Sequence, residues 1–138
     1  MIEVIRESGV RLRASIGRHE IVYDQPVAAG GTDAGPTPTD AFVASLAACV
    51  AYYATRFLER HGHSADDLRV RASFEMAQHP ARVGRIAIEV APATRLSATE
   101  AEALHAVVEH CTVHNSIVTP PEIRIAVAAR EREAMPTI

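Results

Sequence analysis

The chain contains no lysine and no tryptophan. All 14 of its cationic side chains are arginine. Without lysine there is no Schiff-base nucleophile and no Walker-type phosphate lysine. Aromatic residues make up only 4%, too few for a base-stacking surface. The net charge is -3 and no basic run is present, so nucleic acid is not an expected partner. The two cysteines, Cys49 and Cys111, are too few for a secretory disulfide framework. No basic segment precedes an apolar run near Met1, so no signal peptide is expected and the expected location is cytoplasmic. The longest uncharged stretch, Ala41 to Thr55, falls short of the ~20 apolar residues of a membrane span. No membrane partner is therefore expected. The G-x-S-x-G, H-E-x-x-H, G-x-x-x-x-G-K and G-x-G-x-x-G templates are all missing.

What is present reads as one soluble domain spanning 1–138. The chain has 138 residues, 48% hydrophobic and 22% charged, ordinary values for a single globular unit. Val10, Leu12, Ala14 and Ile16 alternate with Arg11, Arg13 and Ser15, the period of a half-buried strand. Gly17-Arg18 then turns the chain into a returning strand at His19 to Tyr23. A short strand at Ile2 to Ile5 precedes the pair. Asp24 to Pro38 is rich in Gly, Pro, Thr and Asp and reads as a loop.

A long helix follows. Thr37 caps it, Pro38 takes its first position and Asp40 completes a capping box. Phe42, Leu46, Val50, Tyr53 and Phe57 mark its apolar face, and the helix runs to about His61 before Gly62. Its many alanines invite close packing on more than one side. Leu68 to Met76 and Val83 to Val90 then alternate as an antiparallel hairpin, with Leu68, Val70, Ala72, Phe74 and Met76 inward. Ser97 and Glu100 open a second helix to about His110. Ile123, Ile125 and Val127 mark a last strand, and the tail from Arg130 reads as loose. Strand pairs joined as hairpins with two helices define an α+β fold. A lone chain leaves the long helix partly uncovered, so a homodimer is expected.

The two cysteines are the candidate chemistry. Cys49 lies eleven residues beyond Pro38, out of reach of the helix dipole, which fades within a turn. A reactive Cys49 therefore needs a cation from elsewhere to hold its thiolate. Arg11, Arg13 and Arg18 are candidates, and Asp40 could orient one of them. The alternative is an inert core thiol between Ala48 and Val50. Cys111 sits in the polar run Glu109-His110-Cys111-Thr112-Val113-His114-Asn115. Cys111 and His114 have the spacing of metal ligands, but no second pair matches them. A zinc site would need Cys49 or His105 from a distance, and neither metal nor cofactor is assigned.

Gly30-Gly31-Thr32-Asp33-Ala34-Gly35-Pro36-Thr37-Pro38, followed by a helix carrying Leu46-Ala47-Ala48-Cys49, resembles the signature of the OsmC/Ohr superfamily. His110-Cys111-Thr112-Val113-His114 resembles that superfamily's second motif, with Thr112 where relatives carry proline. The hairpin at His19-Glu20-Ile21-Val22, with Asp24-Gln25-Pro26 after it, is similar too, so the resemblance covers about residues 10 to 128. It implies an intertwined homodimer with long central helices wrapped by sheets. It implies an organic hydroperoxide reductase in which Cys49 is the peroxidatic thiol and Cys111 the resolving thiol. The superfamily's activating arginine would fall near Ala29, which is no arginine, by one branch of relatives, and at Arg18 by another. A dithiol, such as a lipoylated protein, would reset the disulfide. Relatives place Glu directly after the proline matched by Pro38; this chain has Thr39, with Asp40 one step on. Two other readings stand beside this one: a non-enzymatic binder of an apolar small molecule, and a thiol or metal sensor built on Cys49, Cys111 and His114.

Overall fold

A computed structural model describes residues 1–128. Its elements are β1 (Ile2–Ser8), β2 (Arg11–Ile16), β3 (His19–Tyr23), a 3-10 turn (Val27–Ala29), α1 (Pro38–Arg60), β4 (Arg69–Ala77), β5 (Arg82–Ala91), α2 (Ala98–Val108) and α3 (Thr112–Val118). β1, β2 and β3 form one antiparallel sheet in that order, and β4 pairs with β5 in a second. The α+β class follows.

α1 begins as its capping residues dictate. The Asp40 N–H donates to Thr37 Oγ1 and the Thr37 N–H donates back to the Asp40 carboxylate, with Pro38 in the first turn. The helix stops at His61 and Gly62, whose φ of 76° is the left-handed conformation glycine adopts most readily. Its buried arc is Val43, Leu46, Val50, Ala54, Phe57 and Leu58. Phe42 is not on that arc and stays exposed, which corrects its assignment to the apolar face. The exposed Ala44 and Ala48 lie outside the arc as well. By length and apolarity α1 passes the test for a membrane span, longer than its uncharged stretch suggested, yet it is also the helix around which both core clusters are built.

Two layers cover that arc. Val70, Ile86, Ile88 and Val90 of the β4–β5 hairpin pack on Leu46 and Val50. Leu104 of α2 packs on Ala54, Phe57 and Leu58. Ser97 and Glu100 form the capping box that starts α2, and His63 Nε2 meets Glu100 Oε1 at 2.7 Å. That imidazole first, and then the Ser97 N–H, lowers the Glu100 carboxyl to a pKa of about 2.

Three features depart from the alternation of the sequence. Val70 faces Val90 and Phe74 faces Ile86, but the register slips after Glu75 and leaves Gly84 without a partner. Met76, beyond this bulge near the end of β4, is half exposed, and Ala72 is exposed as well, so neither lies on the inward face that the alternation predicts. The second helix ends at Val108, and a separate helix, α3, begins at Thr112. The break comes at Cys111, whose extended backbone and side chain cap α3. Ile123, Ile125 and Val127 form no strand among the described residues and are all exposed. Their alternation has no sheet edge beside it in a single chain. The expected loose tail from Arg130 lies outside the described residues.

The sheet of β1–β3 makes no substantial contact with the helices or with β4–β5. Its Ile2, Val4 and Ile5 are more than half exposed.

Candidate functional site

Cys49 projects from the middle of α1 into the cluster of Leu46, Val50 and Cys111. Cys111 reaches the same place from the opposite direction, as the first residue of the turn that becomes α3. It is fully buried, whereas Cys49 is partly exposed, and both are free thiols. The His114 N–H donates to Cys111 Sγ at 3.4 Å. Burial pushes the Cys111 thiol up; the His114 N–H acts against that, and the facing Cys49 side chain adds to it. Cys49 is thus the more accessible member of the pair, with the buried Cys111 behind it.

One further contact fixes this arrangement. The hydroxyls of Tyr53 and Thr112 meet at 3.2 Å. Tyr53 is one helical turn after Cys49 and Thr112 is next to Cys111, so this bond ties the two cysteine-bearing elements together. Spacing alone could have flagged Tyr53, since residues four apart share a helix face. Thr112 carried no such signal.

Apolar space adjoins the residues packed around the pair, although neither cysteine itself lines it. A cavity of about 560 Å³ opens between β5 and α2, lined by Leu46, Val50, Ile88, Leu104 and Val108, with His114 at its wall. A second, of about 320 Å³, shares Leu46, Ile86, Ile88 and His114 and extends to Phe42 and Ile117. His114 Nδ1 is buried without a hydrogen-bond partner among the described residues. Among the described residues there is no group of three or more His, Cys, Asp and Glu side chains able to hold a metal ion.

The structure brings Cys49 and Cys111 together and leaves Arg18 and Asp40 apart from them. Arg18 is exposed in the β2–β3 turn and makes no ion pair or hydrogen bond among the described residues. Asp40 sits nine residues before Cys49, about 13 Å along the helix axis. One of its oxygens is taken by the Thr37 hydroxyl at 2.6 Å.

The loop before α1 is anchored by Asp24, which the sequence marked only as part of the family resemblance. Asp24 is 2% exposed. One carboxylate oxygen accepts the Gln25 N–H at 2.8 Å. The other accepts the Thr32 hydroxyl at 2.7 Å and the N–H groups of Thr32 and Ala34 at 3.1 and 3.2 Å. Arg11 Nε lies 3.8 Å away, and Arg11 Nη2 donates to Thr32 Oγ1 at 2.6 Å. The Thr32 hydroxyl above all, with the backbone N–H groups, holds this carboxyl well below the usual carboxylate range in spite of its burial. Gly31 and Gly35 belong to the same device. A Cβ at Gly31 would collide with the Gln25 carbonyl, and one at Gly35 with the Val22 carbonyl. Gly31 and Gly35 therefore permit close approach of backbone to backbone.

An α+β chain with two facing cysteines, one on a central helix and one capping a short helix, beside apolar space, defines a dithiol protein of a recognisable class. The chain belongs to the OsmC-like protein family, whose model matches residues 31–126. No curated protein matches the sequence. Among solved structures, a proposed osmotic stress induced and detoxification response protein from Psychrobacter arcticus is similar at a TM-score of 0.77 and 22% identity, over 83% of this chain and 85% of that one. The organic hydroperoxide resistance protein OsmC from Legionella pneumophila is similar at 0.65 and 21% identity, over 85% and 87%. An OsmC-like protein from Mycoplasma pneumoniae is similar at 0.71 and 19% identity, over 87% of each chain. At these identities the likeness establishes the fold, and function rests on the residues.

Proposed function

We propose that this protein is a cytoplasmic, homodimeric thiol peroxidase that reduces organic hydroperoxides through Cys49 and Cys111. The observation that carries the reading is the direct facing of a partly exposed Cys49 and a buried Cys111 beside apolar space. The Cys49 thiolate attacks the terminal oxygen of the hydroperoxide. The O–O bond breaks, the alcohol leaves with a proton, and Cys49 becomes a sulfenic acid. The Cys111 thiolate then attacks the Cys49 sulfur, an S–S bond forms and water leaves. A dithiol, such as a lipoylated protein, reduces the disulfide by exchange. The hydroperoxide resistance protein from Legionella pneumophila, which shares the fold, is in keeping with this chemistry.

The cation that stabilises the Cys49 thiolate comes, in this reading, from a second copy. Among the described residues Arg18 makes no ion pair and its sheet makes no substantial contact with a helix, and the exposed apolar residues of that sheet and of Ile123–Val127 are faces that a dimer would cover. Asp40 keeps one carboxylate oxygen free to orient that arginine.

The test is mass spectrometry of the reduced protein after one equivalent of cumene hydroperoxide, with hydrogen peroxide in parallel. Loss of two hydrogens with a linked Cys49–Cys111 peptide, faster for the organic peroxide, is expected. Absence of oxidation would favour a second reading, a binder of apolar small molecules, for which the cavity of about 560 Å³ is the supporting observation.

A further inference from the structure

A third concavity lies further along α1 from Cys49. It measures about 550 Å³ and runs between the C-terminal half of α1 and the outer face of α2. Its floor and far wall are apolar: Phe57 below, Ala103 and Val107 opposite. Its near wall carries Tyr52, Tyr53, Arg56, Arg60 and His61, and no acidic residue lines it. Arg56 donates to the Tyr52 hydroxyl at 3.3 Å. Neither Arg56 nor Arg60 forms an ion pair among the described residues, although arginines 11, 13, 71, 85 and 124 do.

The helix sets where these cations point. At 3.6 residues per turn, positions seven and eleven beyond Cys49 fall within about 20° of it around the axis. Arg56 and Arg60 thus form one stripe with Cys49, about 10 and 16 Å further along α1. Tyr53 joins the two regions, since it lines the groove and also packs in the cysteine cluster.

We propose that this groove seats an anionic group, a carboxylate or a phosphate, of a ligand whose apolar body lies along Phe57 and Val107 toward Cys49. Two guanidinium groups on successive turns suit such a group, because each offers a planar fork of donors. The apolar floor lowers the local dielectric and strengthens the pairing. This rests on the assignment of Cys49 as the reactive thiol. It adds a specificity element: among otherwise equal hydroperoxides or thiols, those with an acid about 10 Å from the reacting atom are preferred.

The test uses octanoate, octyl phosphate and octanol as protectants of the full-length reduced protein against iodoacetamide. Alkylation of Cys49 is followed by peptide mass spectrometry. At about ten times its Kd, a bound protectant slows Cys49 about tenfold. Octanoate and octyl phosphate are expected to do so and octanol is not. In Arg56→Gln/Arg60→Gln the ratio of protected to unprotected rates should return to one, and in Arg56→Lys/Arg60→Lys part of the protection should survive. Equal protection by octanol, or protection that persists in the glutamine variant, would overturn the anion site. So would no protection together with a change of oligomeric state in that variant, which would give the face to a second copy. If the acids protect, matched neutral and acidic hydroperoxides and matched neutral and acidic thiols then show which ligand brings the acid. Iodoacetamide needs no peroxide chemistry, so a protein that is protected yet fails to consume cumene hydroperoxide would refute the peroxidase and leave the groove standing.

Discussion

The Tyr53 and Thr112 hydroxyls, 59 residues apart in sequence, meet at 3.2 Å and fasten α3 to α1 beside the cysteine pair. The bond is partly exposed, so its coupling should be about 0.5–1.5 kcal/mol. A double-mutant cycle of Tyr53→Phe and Thr112→Val in urea measures it. The same single variants should slow formation of the Cys49–Cys111 disulfide, because α3 is then freer to carry Cys111 away. Strictly additive effects with an unchanged oxidation rate would show that the two hydroxyls merely coexist.

The roles of the two thiols separate by mutation. Cys49→Ser should abolish consumption of cumene hydroperoxide. Cys111→Ser should still reduce one equivalent per chain and then stop, with a sulfenic acid trapped by dimedone at Cys49. Because burial raises the Cys111 thiol above its ordinary range, its thiolate fraction grows only at alkaline pH. Disulfide formation in the wild-type chain should therefore accelerate with rising pH above the neutral range, while the first turnover of Cys111→Ser should lack that alkaline rise. Stopped-flow oxidation from pH 6 to 10 in both proteins decides this.

Much of this architecture could be read from the sequence where one local rule acted alone. Thr37 and Asp40, and Ser97 and Glu100, placed the starts of α1 and α2 correctly because a capping box is closed within four residues. β2 and β3 were legible from period two. The exposure of Met76 was not, nor was the bulge at Gly84 beside it, since no alternation pattern records a bulge. α3 was missed because Cys111, a rare cap, ends one helical stretch and opens another. The Ile123–Val127 alternation asks for a sheet neighbour that one chain does not supply. At the site, the cysteine motifs marked Cys49 and Cys111, whereas Asp24 stood only in the resembling run Asp24-Gln25-Pro26, because its clamping role depends on N–H groups up to ten residues away.

Acid should loosen the start of α2 through Glu100. Its folded pKa is depressed to about 2 from an ordinary 4.5. A depressed carboxyl stabilises the fold fully above its unfolded pKa, and that stabilisation is lost as pH falls through the folded value. The loss therefore falls between about pH 4.5 and 2. In Glu100→Gln this part of the pH dependence should flatten, and His63→Ala should shrink it, since His63 is the largest cause of the shift. Urea midpoints between pH 2 and 7 for the three proteins provide the check; parallel curves would mean that Glu100 titrates alike in the folded and unfolded chains.

Leu58 is fully buried where α1 meets α2, with Ala54, Phe57 and Leu104 around it. Leu58→Ala should cost about 2–5 kcal/mol, without touching either cysteine. The Cys49 cluster lies two turns earlier on the same helix, so the folded fraction of this variant should still form the Cys49–Cys111 disulfide at the wild-type rate.

The Asp24 clamp makes a prediction of a different kind, because its partners are nearly all main chain. Asp24→Asn keeps the shape but gives up the charge. Its amide has one acceptor oxygen where the carboxylate has two, so one set of the donors from Gln25, Thr32 and Ala34 is left facing an NH₂ group. Arg11 loses its counter-charge at the same step. The loop from Asp24 to Pro36 should then open locally while β4, β5 and the helices stay folded, because the clamp touches none of them. Limited proteolysis should cut the variant between residues 25 and 36, and hydrogen exchange should speed at Thr32 and Ala34. Thr32→Val should reproduce the effect in part, since the backbone donors remain. Because this loop leads directly into the Thr37 cap of α1, protection at Asp40 and Ala41 distinguishes a loop that merely swings from one whose release unwinds the first turn of the cysteine-bearing helix. Loss of exchange protection confined to residues 25–36 is the expected outcome, as the Thr37–Asp40 box closes the helix on its own.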